Sequence, residues 1–452
     1  MVLVARYLGV EDFGTYAFIT ALVGFIVSIT YFGLERVAIR EIARSKEKAN
    51  ECLGAILVVR WALSGMVVLA IAGYLLVSSP PTAIVLAIIV ATVSELIWAS
   101  GSVFSCTFKA FEEMHLETVT TVAFRLSGLF LIGLVIWFRG GIALLLAAIC
   151  GANIVRTGIA IHYSRSLSVK PLIRVDYPLW TRYAKEAFVL GAVVVFALGT
   201  LKTGVIALKY MREIKDVALF QSSQTVVLQM QVLPMSIAMA LFPMLSKLGL
   251  SEQDKLARVA AAVLKYLFVI SVPVAIVLHV FSGTIISIVF GKDFSEASAV
   301  LSTMAWCIIP LFMSSLIEFI LISMNRQQDV AKTWALTFVV NVPLNILLIR
   351  SYGASGAAMA VLASFVLLTL VQCVILAVHL KIPNFFRMMT RLFPPLAMVL
   401  LFLYWFQWNG WYRQVAGAVS AIAFFIAAHF MIATISLEEI RSFAKKMHSQ
   451  GS

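Results

Sequence analysis

Seven charged side chains stand where the surrounding residues are apolar: the cations Arg60, Arg125, Arg156, Lys202 and Lys265, and the acids Glu95 and Glu318. A charge near the midplane of a bilayer is costly, so each such group is by default a candidate for function. The cations have two uses. They can line a wet cavity and bind anionic oxygens, for which the planar fork of arginine is well shaped, or they can snorkel to the headgroups. Arg125 and Arg156 fall at similar depth on neighbouring segments. Arg60 and Lys265 lie nearer a membrane surface, where snorkelling is the stronger reading, and Lys202 lies deeper. Either acid can carry a proton or a cation, or pair with an arginine and hold two helices together. Glu95 shares one helical face with Trp98, Ser102 and Ser105, as a cavity wall would. Two polar stripes repeat every four residues: Thr333, Thr337, Asn341 and Asn345, and Gln221, Thr225 and Gln229. Their amides and hydroxyls suit the hydroxyls of a polar ligand, and suit helix-to-helix hydrogen bonds equally well. Pro234, Pro243, Pro273 and Pro343 could kink helices for gating, although proline is ordinary in membrane helices. His279 and His429 lack a plausible partner set and read as core residues.

These groups need long apolar helices to position them. Of 452 residues, 62% are hydrophobic and 13% are charged, against about a quarter charged in a soluble globular protein. The mean hydropathy is +0.98. The composition is that of an all-α polytopic membrane protein. Segments near 14–33, 54–77, 82–106, 118–138, 141–163, 184–207, 216–245, 263–290, 298–323, 331–350, 355–379, 393–408 and 412–434 are long enough to span, given that a crossing takes about 20 apolar residues. With residues 1–8 counted as the remnant of a first span, that makes thirteen full spans and one truncated span. The net charge of +13 sits in the loops, in no basic tail, so a nucleic-acid partner is not expected. Most Lys and Arg fall after the even-numbered spans and in the C-terminal tail, which places those loops and both chain ends in the cytoplasm. The five cysteines are far apart, form no metal-like pair and read as small buried hydrophobes. No metal or other cofactor is called for.

The sequence also repeats itself. The stretch ARYLGVEDFGTY resembles LKYMREIKDVALF, Arg60-Trp61 matches Lys265-Tyr266, and FRGGIALLLAA matches YGASGAAMAVLAS, in order and about 200 residues apart. Six helices per copy is an even number, so the copies share one orientation. That predicts two six-helix bundles related by a pseudo-two-fold axis along the membrane normal, with a C-terminal helix pair left over. The expected divisions are an N-terminal bundle over 1–163, a cytoplasmic inter-bundle loop over 164–183, a C-terminal bundle over 184–380 and the extra pair with its tail over 381–452. Tyr210 follows a full helix and its counterpart Tyr7 does not. That asymmetry points to a missing start of span 1, through a misplaced start codon or a natural stub.

Several stretches resemble one family, the polysaccharide or oligosaccharide-lipid flippases of the multidrug/oligosaccharidyl-lipid/polysaccharide exporter superfamily, which includes the O-antigen transporters. They are ARYLGVEDFGTYAF with GLERVAIREIA, FKAFEEMHLETV, DVALFQSSQTVVLQMQVLPMSIAMALFPMLSKL, IVFGKDFSEASAVL and NVPLNILLIRSYGASGAA. The likeness runs over nearly the whole chain. It implies a flippase of the cytoplasmic membrane that moves a polyprenyl-diphosphate-linked oligosaccharide by alternating access, for surface polysaccharide synthesis. Its partners would be that glycan, membrane lipid and the polysaccharide polymerisation machinery, and it would act as a monomer. The cations then become diphosphate ligands, the stripes sugar ligands, and Glu95 and Glu318 ion-coupling sites. One departure stands out: many members carry Arg-x-Asp in span 7, where this chain has Lys202-Thr203-Gly204.

Two rival functions follow from the same residues. A cation-coupled multidrug or small-molecule exporter of the same superfamily would share the core, but the cationic spans and the extra helix pair argue against it. An enzyme acting on the same lipid would need acids on a sizeable extramembrane loop, and no such loop, nucleotide-binding glycine loop or zinc-protease motif is present. No catalytic residues are expected.

Overall fold

In hydrocarbon no water is available to bond peptide groups, so each spanning segment must satisfy its own backbone. The computed structural model follows that rule: every regular element among the described residues is a helix. The structure describes residues 1–31, 33–174, 176–380, 394–399, 401 and 411–431. Most of the expected span 393–408 and the tail beyond 431 lie outside the described residues, as does the side chain of His429.

Two compact units are present. The first gathers Met1–Ser222, Val289–Glu296 and Gln327–Ser364. It holds α1 (Val2–Tyr31), α2 (Leu34–Arg44), α3 (Ala49–Ser78), α4 (Thr82–Ala110), α5 (Met114–Trp137), α6 (Ile142–Ser166), α7 (Tyr177–Met211) and the start of α8 (Ile214–Gln229). The second gathers Ser223–Ile288, Ala297–Arg326 and the chain from Phe365. Its helices include α9 (Val232–Ser251), α10 (Gln253–Val280), most of α11 (Ser282–Val289), α12 (Ala297–Met304) and α13 (Ile308–Ser323). The long α14 (Gln327–Leu380) contributes to both units, and α15 (Trp411–Met431) belongs to the second.

Ten helical stretches among the described residues are long and apolar enough to cross a membrane. Several expected spans appear in altered form. The 216–245 segment is α8 and α9, broken at Met230–Gln231 just before Pro234. The 263–290 segment becomes α10 and α11. The 298–323 segment is interrupted by a tight turn over Ala305–Cys307, which precedes Pro310. Two neighbouring spans, 331–350 and 355–379, form α14, whose helical path breaks at Gly353 with φ 55°. Gly9 breaks α1 in the same way, at φ 74°. Both glycines occupy the left-handed region that other residues enter only at a cost. At Gly353 the break is reinforced, because Arg212 donates to the carbonyls of Ile349 (3.2 Å) and Arg350 (2.7 Å) at the end of the preceding helical stretch. A cation on the last carbonyls of a helix is favourable.

The first unit owes much of its packing to α2, α3 and α4. Leu34, Val37 and Ile42 on one face of α2 meet Leu53 and Ile56 of α3 and Val103 and Phe108 of α4, all buried. Helices α4 and α6 approach closely because Gly101 has no side chain; a Cβ there would lie 2.2 Å from Thr157 Oγ1. The start of α7 falls inside the stretch expected to be an inter-bundle loop. Asp176 caps it by accepting from the Leu179 backbone N–H at 2.9 Å, and Pro178 sits in its first turn. Asp followed by proline at the first turn is a helix-start signal. The loop before it lies against α3: Leu172 donates its N–H to the Asn50 carbonyl at 2.9 Å and Lys170 donates to Asn50 Oδ1 at 2.8 Å.

Candidate functional site

The first unit collects a chain of charged and aromatic side chains, with a member from each of its first seven helices. Glu95 on α4 accepts a hydrogen bond from the Tyr31 hydroxyl of α1 at 2.9 Å. Lys202 on α7 is the cation that acts electrostatically on Glu95. Glu95 lies about 20 Å along α4 from its first residue and about as far from its last, at 1.5 Å per residue, so it falls in mid-membrane. One turn further along α4, the Trp98 ring meets the Tyr31 ring edge-on at 4.9 Å. The Arg156 guanidinium of α6 lies 5.3 Å from the Trp98 ring centroid, a cation–π contact. Arg156 also faces Glu117 of α5 at 3.9 Å, and Lys109 of α4 faces the same carboxylate at 3.6 Å.

Arg60 on α3 forms a second branch. It does not snorkel, because its side chain is fully enclosed at 0% exposure. One terminal nitrogen donates to the Ala99 carbonyl and, at 2.7 Å, to Ser102 Oγ, both on α4. Glu35 of α2 supplies a counter-charge at 3.8 Å. Nε and the other terminal nitrogen of Arg60 are buried with no hydrogen-bond partner among the described residues. The expected polar face of α4 is therefore in use: Glu95 engages Tyr31, Trp98 engages Arg156 and Ser102 engages Arg60, while the Ser105 hydroxyl has no partner there.

Arg125 is not gathered into this chain; it is exposed on α5. Near the water-exposed start of α7, Arg182 bonds Glu186 at 2.9 Å, and Arg40 of α2 bonds the other oxygen of Glu186. The hydrogen bond to Glu186 holds the Arg182 guanidinium above its ordinary pKa. Among the described residues no group of His, Cys, Asp and Glu could hold a metal ion.

A family model described as polysaccharide biosynthesis protein matches residues 1–249, which is more than half of the 452 residues. The chain belongs to the polysaccharide biosynthesis protein family. A second family, MatE, matches residues 190–347. A probable low-salt glycan biosynthesis flippase, Agl15 of Haloferax volcanii, is 30% identical over 138 residues, which are 30% of this chain and 29% of that protein. The chain thus aligns with less than a third of that relative's length. Among solved structures, an inward-facing multidrug resistance MATE transporter of the MOP superfamily superposes with a TM-score of 0.70 at 14% identity, over 85% of this chain and 95% of that one. The lipid II flippase MurJ, in an inward closed conformation, superposes with a TM-score of 0.68 at 16% identity, over 95% of each chain. At such identities the likeness is one of fold.

In this member of the polysaccharide biosynthesis protein family, the remaining candidates are divided between the two units. Within the second, Gln372 donates to Glu318 at 3.2 Å, and Lys265 is buried with its ammonium 5.6 Å from the Tyr266 ring. Within the first, Thr333, Thr337, Asn341 and Asn345 are all enclosed. Asn341 donates to Ser364 Oγ at 2.8 Å, and Asn345 donates to the Asn341 carbonyl at 2.9 Å. The α8 stripe is graded: Gln221 is buried, Thr225 half-buried and Gln229 exposed. Sequence reasoning missed Tyr31, Glu35 and Glu117. Tyr31 and Glu35 stand either side of a turn between α1 and α2, where a polar residue carries no signal of burial.

Proposed function

We propose that this protein is a flippase that carries a polyprenyl-diphosphate-linked oligosaccharide across the cytoplasmic membrane for surface polysaccharide synthesis. The observation that carries the reading is the guanidinium of Arg156 held over Trp98 within a membrane-embedded chain of charges. A lipid-linked glycan presents a diphosphate and many hydroxyls, and a hydroxyl enters hydrocarbon unpaired at a cost of several kcal/mol, roughly 4–8. The acyl tail stays in lipid, so the protein need supply only a polar path with cations along it. Arg156, Lys202 and Arg60 would meet the diphosphate, with Arg125 and Lys265 as further cations on the path. The stripes over Thr337, Asn341 and Asn345 and over Gln221, Thr225 and Gln229 would meet sugar hydroxyls in a more open state. Glu95 and Glu318 would couple an ion to transport. The two sequence repeats would act as bundles that alternate access, with the loops after the even-numbered spans, and the C-terminus, in the cytoplasm. The protein would work as a monomer that hands its glycan to the polymerisation machinery. The family and the Agl15 likeness support this reading.

A second reading, export of a drug or other small molecule, is favoured by the MatE match and by the fold shared with a multidrug transporter. One experiment separates the two. Cells depleted of the protein are scored for the sidedness of the lipid-linked glycan. The expected result is accumulation on the inner leaflet that Arg156→Ala, expressed normally, does not relieve. An unchanged intermediate together with new sensitivity to cationic dyes would replace the flippase with an exporter.

A further inference from the structure

Glu117 is an odd partner for two cations. One of its oxygens, Oε1, faces both Lys109 Nζ at 3.6 Å and Arg156 Nη2 at 3.9 Å. Both separations exceed the length of a charge-assisted hydrogen bond, about 2.7–2.9 Å. Its other oxygen, Oε2, is buried and has no hydrogen-bond partner among the described residues. A carboxylate kept there only to tie helices together would be expected to accept hydrogen bonds at both oxygens, because buried polar atoms left unpaired are destabilising. Among these three groups, two cations face one acid, a balance of one positive charge. The residues also stand at a particular depth. Lys109 is in the last turn of α4 and Glu117 in the first turn of α5, so the pair lies where these helices meet the membrane surface. Arg156, ten residues from the end of α6, extends the cluster inward to Trp98. Around the connecting turn, Lys46 lies 5.1 Å from the Phe111 ring, and Glu113 faces His115 at 3.2 Å. The turn also carries Glu112.

We propose that Lys109 and Arg156 form an inner-leaflet docking site for the diphosphate of the cargo, and that Glu117 is a built-in counter-anion which the diphosphate displaces. This rests on the flippase reading above. A diphosphate offers more acceptor oxygens and more charge than the single shared carboxylate oxygen, and arginine binds such a group through two parallel bonds. In the empty protein Glu117 keeps both cations from trapping stray anions. On arrival of cargo it is released, and Arg156 delivers the diphosphate towards Trp98 and the deeper cations. Glu117 thereby sets a threshold: an anion must outcompete it to be admitted.

The test uses the full chain in phosphatidylcholine nanodiscs. Geranylgeranyl diphosphate is the probe, and geranylgeraniol and added phosphatidylglycerol are the comparators. Glu117→Gln is expected to tighten diphosphate binding about tenfold, and Lys109→Gln and Arg156→Gln to weaken it about tenfold each, the scale of one charge-assisted contact. Arg156→Lys should recover only part of the loss, and geranylgeraniol binding should stay constant throughout. A gain on Glu117→Gln cannot arise from misfolding. Wild-type binding that is unmoved by all three glutamine variants, or weakened by Glu117→Gln, overturns the site and leaves the flippase reading standing. Tightening towards phosphatidylglycerol alone overturns it in favour of a phospholipid headgroup. Absence of any diphosphate binding by the wild type overturns the site, and the flippase reading is then decided by the sidedness of the lipid-linked glycan in depleted cells.

Discussion

The hydroxyl of Tyr31 donates to Glu95 at 2.9 Å and is the only hydrogen-bond donor to that carboxylate among the described residues. It joins α1 to α4 in mid-membrane. A hydrogen bond to a charged group contributes about 1.5–3 kcal/mol. Under the proposed flippase function, Tyr31→Phe should therefore slow appearance of the lipid-linked glycan on the outer leaflet about tenfold, at 1.4 kcal/mol per decade, while expression stays normal. Glu95→Gln keeps an acceptor for Tyr31 but removes the charge. It should abolish transport with little change in the detergent-solubilised melting temperature. Unimpaired transport in Glu95→Gln would overturn the ion-coupling role proposed for Glu95.

Arg60 presents a different case, because it is enclosed. Arg60→Ala leaves a cavity among α2, α3 and α4 and strips Glu35 of its counter-charge. It should cost about 2–4 kcal/mol and show as a lower melting midpoint. Arg60→Met fills most of the same volume without the charge and should recover most of that stability. Failure of the methionine to recover it would mean that the guanidinium bonds to Ala99 and Ser102, rather than its bulk, hold the helices.

Gly54 makes room for the loop that leads to α7. A Cβ there would lie 2.1 Å from the Leu172 carbonyl oxygen. Gly54→Ala should lift this loop off α3, and trypsin should cut after Arg174 about tenfold faster, as local opening becomes cheaper. An unchanged cleavage rate would show that the loop is held elsewhere.

The Arg40, Arg182 and Glu186 network is expected to matter less. These side chains are partly exposed, at 45%, 57% and 30%. Glu186→Gln should lower stability by about 1 kcal/mol or less. The difference should shrink further at 1 M salt, where screening acts within about 3 Å. A salt-independent loss would mark the network as buried in the working protein.

The helical class and most crossings were legible because apolar length is written directly in composition. The turn at Gly353 was legible too, through the glycine-rich YGASG stretch. The breaks within the 216–245 and 298–323 segments were not, since their hydropathy continues unbroken and only Pro234 and Pro310 hint at them. The start of α7 was written in Asp176 and Pro178 but was outweighed by the polarity of its first turns. The charged site was half legible. Glu95, Trp98, Ser102 and Arg156 announce themselves by being polar inside apolar segments. Their partners do not: Tyr31 and Glu117 come from helix ends, where polar residues are commonplace. Arg60 was misread as a snorkelling residue because depth along a helix is readable and the direction a side chain takes from it is not.

One glycine described above bears on how this chain enters a membrane at all. Helix α14 contains 54 residues, about 80 Å if straight at 1.5 Å per residue, while the hydrocarbon layer is about 30 Å thick. Straightened, it would overshoot the bilayer more than twofold. The break at Gly353, where Arg212 bonds the preceding carbonyls, divides that excess into two stretches, each about 40 Å long and so near the length of a single crossing. Replacing Gly353 with a β-branched residue would therefore act during synthesis, by changing how many times this part of the chain is threaded through the bilayer and on which side everything after it emerges.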